Sequence, residues 1–285
     1  MQLKNMFSEG DFEIYRHAWR YALSPDCEPQ LSDSQCNVLL KKGGWLVRNT
    51  YDFDCEEETE FWYVIKDSFG GMDEHSQNER KKLRHAFRNF DFQIVDIDLV
   101  RKKAYPILKA TFVDYNVTDR AINEAVFAEY LDNCSKENFD FWGAFDVETH
   151  ELVGFCAVRV FDYSCEYGLI GFEPKYKHNA SYPYYGFFYK MNEYYLDNKK
   201  FRYVVDGARS ITEHSNIQPF LEQNFKFRKA YCKLKIKYKW WFGIAVRVLL
   251  PFRKLIWNRN VRAVLNMHEY QSHELLAISG LDSNG

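Results

Sequence analysis

Asp206, Glu166 and His214 are the side chains of this sequence best placed to move a proton. Tyr203-Val204-Val205 is a compact aromatic and β-branched run of the kind that forms a buried strand, and it stops at the turn signal Asp206-Gly207. A polar loop follows, carrying Arg209, Ser210, Thr212, Glu213, His214 and Asn216. Open α/β sheets bind ligands outside the carboxyl ends of their strands, so chemistry is expected at Asp206 and in the loop after it. Glu166 heads the run Glu166–Phe172, a further strand, and His214 titrates near neutrality when unperturbed. Asp206, Glu166 and His214, in that order, are the expected general acid/base groups. Arg209, Ser210 and Asn216 are the expected substrate contacts. A loop histidine is more often simply exposed. Tyr184 and Tyr185, candidates for contacting substrate or protonating a leaving thiol, belong to a residue type that more often packs than reacts. No nucleophile signature accompanies these groups: there is no G-x-S-x-G, and no cysteine stands in a known pattern with a histidine. The cysteines also contain no C-x-x-C pair, so no metal centre is expected.

The elements that must hold these side chains can be read from periodicity. After the loop, Asn216 or Ser215 can cap a short helix with Pro219 in its first turn and an apolar face of Phe220, Leu221 and Phe225. Ala230–Tyr238 then alternates apolar residues with Lys233, Lys235 and Lys237, a strand with one wet face. Upstream, Gln93–Ile97 reads as a strand, and Asp98 caps a helix through Ala110 that Pro106 kinks or splits. Asn123–Cys134 is a second helix, Phe139–Val147 and Leu152–Phe161 form a hairpin, and Ser181–Leu196 is a helix dense in aromatics. Nearer the N-terminus, Phe12–Trp19 reads as a helix, and Gly43–Arg48 and Phe61–Ile65 as strands. Ser76–Arg88 is a helix on which Arg80, Arg84 and Arg88 stack at i, i+4. That stack is either a solvated face or a phosphate site, since guanidinium forks match phosphate oxygens, and Arg84 and Arg88 join the substrate-binding candidates on the second reading.

A strand ending in Asp-Gly, a polar loop, a short helix closing on Phe225-Lys226-Phe227 and a last strand resemble the final third of a GNAT-type acyltransferase. More narrowly they resemble the FemAB-like branch, relatives of the peptidoglycan-bridge aminoacyl transferases. Where that branch carries F-K-x-x-F-G, this chain has Phe220-Leu221 and Phe225-Lys226. Arg84-His85-Ala86-Phe87-Arg88 resembles, in place and charge, its basic R-x-x-I-R-x-A helix. From Phe92 on, the order β-α-α-β-β-β-α-β-α-β is the order of the superfamily. The resemblance implies an α/β, mixed-sheet GNAT-like acyltransferase fold over residues 90–238. Residues 1–89 would be an N-terminal partial second unit ending in the basic helix, and 239–285 a C-terminal amphipathic helix and tail. It further implies that the strand begun by Glu166 splays from its neighbour, leaving a V-shaped opening beside Asp206.

The implied activity is acyl or aminoacyl transfer from acyl-CoA, acyl-carrier protein or aminoacyl-tRNA to an amine or hydroxyl. The acceptor would be a small molecule or lipid-linked, the setting cell-envelope or surface-glycan assembly, with no tightly bound cofactor. GNAT proteins hold the coenzyme A pyrophosphate on Q/R-x-x-G-x-G/A at a helix start. At that place Lys175–Gly186 keeps only Gly186 of the pattern. This departure argues against an ordinary acetyl-CoA turn. It also leaves a second reading standing: a degenerate member that binds a ligand or partner without turnover.

Hydrophobic residues make up 46% of the 285, enough for a core, which excludes global disorder. A net charge of −2 gives no global attraction for nucleic acid. Seven scattered cysteines fit reduced thiols in a cytoplasmic protein, and the N-terminus lacks the apolar core of a signal peptide. Trp240–Trp257 is too charged to span a bilayer. On a helical wheel Gly243, Arg247, Lys254 and Asn258 share a narrow polar stripe, and tryptophans stand at both ends. The segment reads either as an interfacial helix on the anionic inner leaflet or as a buried or homodimer-forming helix.

Overall fold

The computed structural model describes residues 9–15, 17–115, 123–178, 180–211 and 217–281. Strands β1 (Phe12–Tyr15) and β2 (Ala18–Tyr21) form an antiparallel hairpin where a helix was expected. His17 takes the left-handed φ of 68° at the turn, and the cross-strand pairs Phe12/Tyr21 and Glu13/Arg20 are contacts a helix could not make. Helix α1 (Asp33–Lys42) starts with a capping box of Ser32 and Gln35, and leads into β3 (Leu46–Tyr51) and β4 (Trp62–Lys66). Helix α2 (Gln77–Asn89) is capped in the same way by Ser76 and Glu79 and runs straight into β5 (Phe90–Val95).

Asp96, rather than Asp98, caps α3 (Ile97–Asp114), since its side chain accepts from the Asp98 amide. That helix carries Pro106 without being split. Next come α4 (Glu124–Cys134), β6 (Phe139–Asp146), β7 (Leu152–Val160), β8 (Ser164–Phe172), α5 (Pro174–His178) and α6 (Pro183–Asn192), with a π-type turn at Glu193–Asn198. β9 (Tyr203–Ala208) and α7 (Ile217–Phe225) follow.

The expected last strand is two strands, β10 (Arg228–Tyr231) and β11 (Lys233–Tyr238). Between them Cys232 donates its amide to the carbonyl of Phe61, and β11 then pairs antiparallel with β3. The expected helix over 240–257 is also divided: α8 (Trp240–Leu249) gives way to a 3-10 turn at Leu250–Leu255. Pro251 has no amide to continue the helix. Helix α9 (Arg259–Leu281) closes the described chain.

The strands form two mixed sheets, β1-β2-β3-β11 and β10-β4-β9-β8-β7-β6-β5. The chain divides into two compact units: residues 1–63, 208–213 and 229–285 make one, and residues 64–207 and 214–228 the other. The first unit is built on Leu31, Cys36, Leu39 and Val47 with Phe12 and Trp19. In the second, α3 and α4 bury Val100, Leu108, Phe127 and Leu131 against Phe141 and Phe155 of the sheet.

Candidate active site

The two strands that frame the site part company midway. β8 and β9 run parallel but pair only over Ser164–Glu166 and Tyr203–Val205. Beyond those residues β8 runs on to Phe172 alongside β7, and β9 runs on to Ala208. One cause lies in β8 itself. Cys156 of β7 faces Ile170, while Val158 faces Tyr167, so the stretch Gly168–Leu169 holds one residue more than its partner strand. Such a bulge bends and twists its strand. Gly168 permits it: a Cβ there would lie 2.9 Å from the Ala157 carbonyl oxygen. The amide of Gly168 hydrogen-bonds the Cys156 sulfur.

Glu166 is the last residue of β8 paired with β9, and Asp206 is the first residue of β9 past that pairing. Gly207 then takes a left-handed φ of 87°, and a Cβ on it would lie 3.6 Å from Glu166 Oε1. The left-handed φ is what favours glycine here, and it falls inside β9, which runs on to Ala208 where a turn at Asp206-Gly207 was expected. Asp206 keeps part of its surface open, but its carboxyl is ringed by protein. Burial pushes that carboxyl well above the usual carboxylate range, the negative charge of Glu166 pushes it further, and a hydrogen bond from Gln218 on α7 opposes both. Burial and the neighbouring negative charge thus both favour the protonated form of Asp206.

Three neighbours complete the site. Tyr130 of α4 has its hydroxyl 3.9 Å from where a Cβ of Gly168 would stand. Burial raises its phenol far above the ordinary value, with the Cys134, Cys156 and Glu166 groups adding to the shift, so the hydroxyl stays protonated. Cys156 is fully buried, and burial, with the charge of Asp206 second, keeps it a thiol. Tyr167 is buried and donates to Asn192 Oδ1 at 2.8 Å. Sequence reasoning found the two carboxylates by expecting strand ends there, but both lie inside their strands: β8 already begins at Ser164, and β9 runs through Asp206 to Ala208. It missed Tyr130 and Gln218, which lie in ordinary amphipathic helices and gain their meaning only from the fold.

The remaining expected site residues have these surroundings. Arg209 is fully engaged: its guanidinium lies between the rings of Trp62 and Tyr270, 4.2 and 4.0 Å from their centroids, and donates to the carbonyl and carboxylate of Glu60. Ser210 is exposed. His214 and Asn216 lie outside the described residues. Tyr184 packs edge-on against Phe172. Tyr185 donates to Asn224 Oδ1 at 2.6 Å and accepts from Lys82 Nζ at 2.8 Å. Gly186 is buried, and a Cβ there would meet Phe92 at 2.4 Å, so close helix–strand packing accounts for this glycine. Arg84 and Arg88 lie exposed on α2.

No family model and no curated protein sequence matches this chain. Solved structures do. The C-terminal domain of a protein assigned as a lysylphosphatidylglycerol synthetase from Agrobacterium fabrum is 11% identical, with a TM-score of 0.51 and coverage of 86% of this chain and 88% of that one. FemX is 8% identical over 61% of this chain and 66% of its own, with a TM-score of 0.46. A tandem GNAT protein of the clavulanic acid biosynthesis pathway is 10% identical over 72% of this chain and 67% of its own, with a TM-score of 0.42. At 11% identity the likeness to the first of these is one of fold alone, a mixed α/β fold shared over most of both chains.

Proposed function

We propose that the second unit is an acyl or aminoacyl transferase centre in which Glu166, beside the protonated Asp206, accepts the proton of an attacking amine. The observation that carries this is the pair itself: a carboxyl held protonated by burial, set against a second carboxylate where β8 and β9 part. In the reaction the amine nitrogen forms a bond to the carbonyl carbon of the donor, and the bond from that carbon to sulfur or oxygen breaks. The amine's proton leaves on Glu166, and Tyr130 supplies a proton to the departing group. The fold shared with a domain assigned to a lysylphosphatidylglycerol synthetase makes activated amino acids a donor class to include. Cell-envelope acceptors, lipid-linked or small, fit the same reading.

One observation favours a ligand-binding protein without turnover: Gly186, the remaining glycine of a pyrophosphate turn, is spent on packing. The two readings separate in one experiment. The protein is incubated with acetyl-CoA, longer acyl-CoAs, acyl-carrier protein and aminoacyl-tRNA, each with an amine acceptor, and both melting temperature and product are measured. A donor at 100 times its dissociation constant stabilises by about 2.7 kcal/mol. Stabilisation with product supports the transferase, and stabilisation without product by any donor supports the binder.

A further inference from the structure

The first unit carries a cleft for which acyl transfer has no use. It encloses about 1140 Å³ and is lined by Lys41 of α1, Tyr238 of β11, Lys239, Trp241 and Arg247 at α8, and His268 of α9. Lys41, Lys239 and Arg247 make no ion pair among the described residues. Lys237, which also reaches the cleft, is held by Asp33 at 2.7 Å. Two buried polar atoms of the lining, the Tyr238 hydroxyl and His268 Nδ1, have no hydrogen-bond partner. The cleft is thus cationic at its rim and holds two unmet polar groups within.

Beside it lies an apolar surface. Trp240, Ile244 and Val248 occupy successive turns of α8 on the side opposite the buried Val246, and Phe252 and Leu255 extend the stripe through the 3-10 turn to Trp257. Trp240 is 80% exposed, Leu255 73% and Trp257 95%. Such large side chains facing water in one patch mark an interaction surface. Residues 239–268 hold six lysines and arginines and no acidic residue. A two-fold contact with a second copy would lay that block of positive charge against itself. An anionic bilayer satisfies both halves of the surface: the tryptophans sit at the headgroup level, and the cations meet lipid phosphates.

We propose that α8 and the turn after it dock on an anionic phospholipid bilayer, and that the adjoining cleft takes the phosphate of one lipid headgroup. The inference stands apart from the transferase reading. It is tested with the full chain by co-sedimentation with vesicles of phosphatidylcholine alone and of phosphatidylcholine with phosphatidylglycerol, at low and high salt. Partition onto the phosphatidylglycerol vesicles is expected to be roughly tenfold or more the greater, and to fall with salt. Trp240→Ser with Trp257→Ser, and separately Lys41→Glu with Arg247→Glu, are each expected to lose roughly tenfold or more of that binding. All four positions are at the surface, so unchanged melting confirms folding. Equal pelleting by the two vesicle types, or none by either, overturns the proposal. So does a dimer in light scattering that the double tryptophan variant abolishes, because the face then belongs to a second copy.

Discussion

At the scale of single residues the account rests on Asp206. Its folded carboxyl titrates above that of an unfolded aspartate, so the folded protein holds the proton longer. The stability tied to that proton is fully present below the unfolded value and is lost as pH rises toward the folded one. Asp206→Asn cannot ionise. It is therefore predicted to melt above the wild type at about pH 8 and to lose that margin by about pH 4. An equal difference at both pH values in thermal melts would mean that Asp206 is not held protonated. Tyr130→Phe is predicted to lower kcat by about tenfold or more with little change in KM, since only the proton donor is removed. Arg209, expected from sequence to meet substrate, is instead predicted to matter for stability: Arg209→Ala removes a cation held between two rings and a carboxylate, and should lower the melting temperature. The carboxylates were legible because each flanks an apolar run, Asp206 after Tyr203-Val204-Val205 and Glu166 before Tyr167. Arg209's partners were not, since Glu60, Trp62 and Tyr270 are remote along the chain.

At the scale of elements, the order of strands and helices from β5 on was legible because most of them carry their own period. What sequence hid was decided between elements. The run Phe12–Trp19 forms a hairpin because its side chains pair across strands, and no glycine, asparagine or proline marks the turn at His17. The slip at Gly168–Leu169 depends on the register between β7 and β8, which no local pattern encodes. Gly186 gives an element-scale test. Gly186→Ala drives a methyl toward Phe92 and Ala86 and is predicted to cost about 1–3 kcal/mol in urea unfolding, as overpacking does. Unchanged stability with loss of donor binding would return this glycine to the ligand.

At the scale of the whole molecule, each compact unit gathers distant pieces of chain. The first takes residues 1–63, 208–213 and 229–285, an arrangement that composition shifts along the sequence do not reveal. Its sheet needs β11 beside β3. Truncation after Arg228 is therefore predicted to expose the edge of β3 and release hydrogen-exchange protection through Leu46–Tyr51, measured by mass spectrometry. Retained protection there would show that β3 does not depend on β11. The net charge of −2 likewise averaged away the acid-free block of cations at residues 239–268.

The central claim, that Glu166 beside the protonated Asp206 is the proton acceptor of a transferase, is tested most directly by comparing wild type, Glu166→Gln and Asp206→Asn in acyl transfer to an amine, across pH, with the donor classes above. The account predicts transfer from at least one donor, with kcat lowered about a hundredfold or more in Glu166→Gln while its melting temperature holds. Transfer at the wild-type rate by both variants, or no transfer by the wild type from any donor, would contradict it.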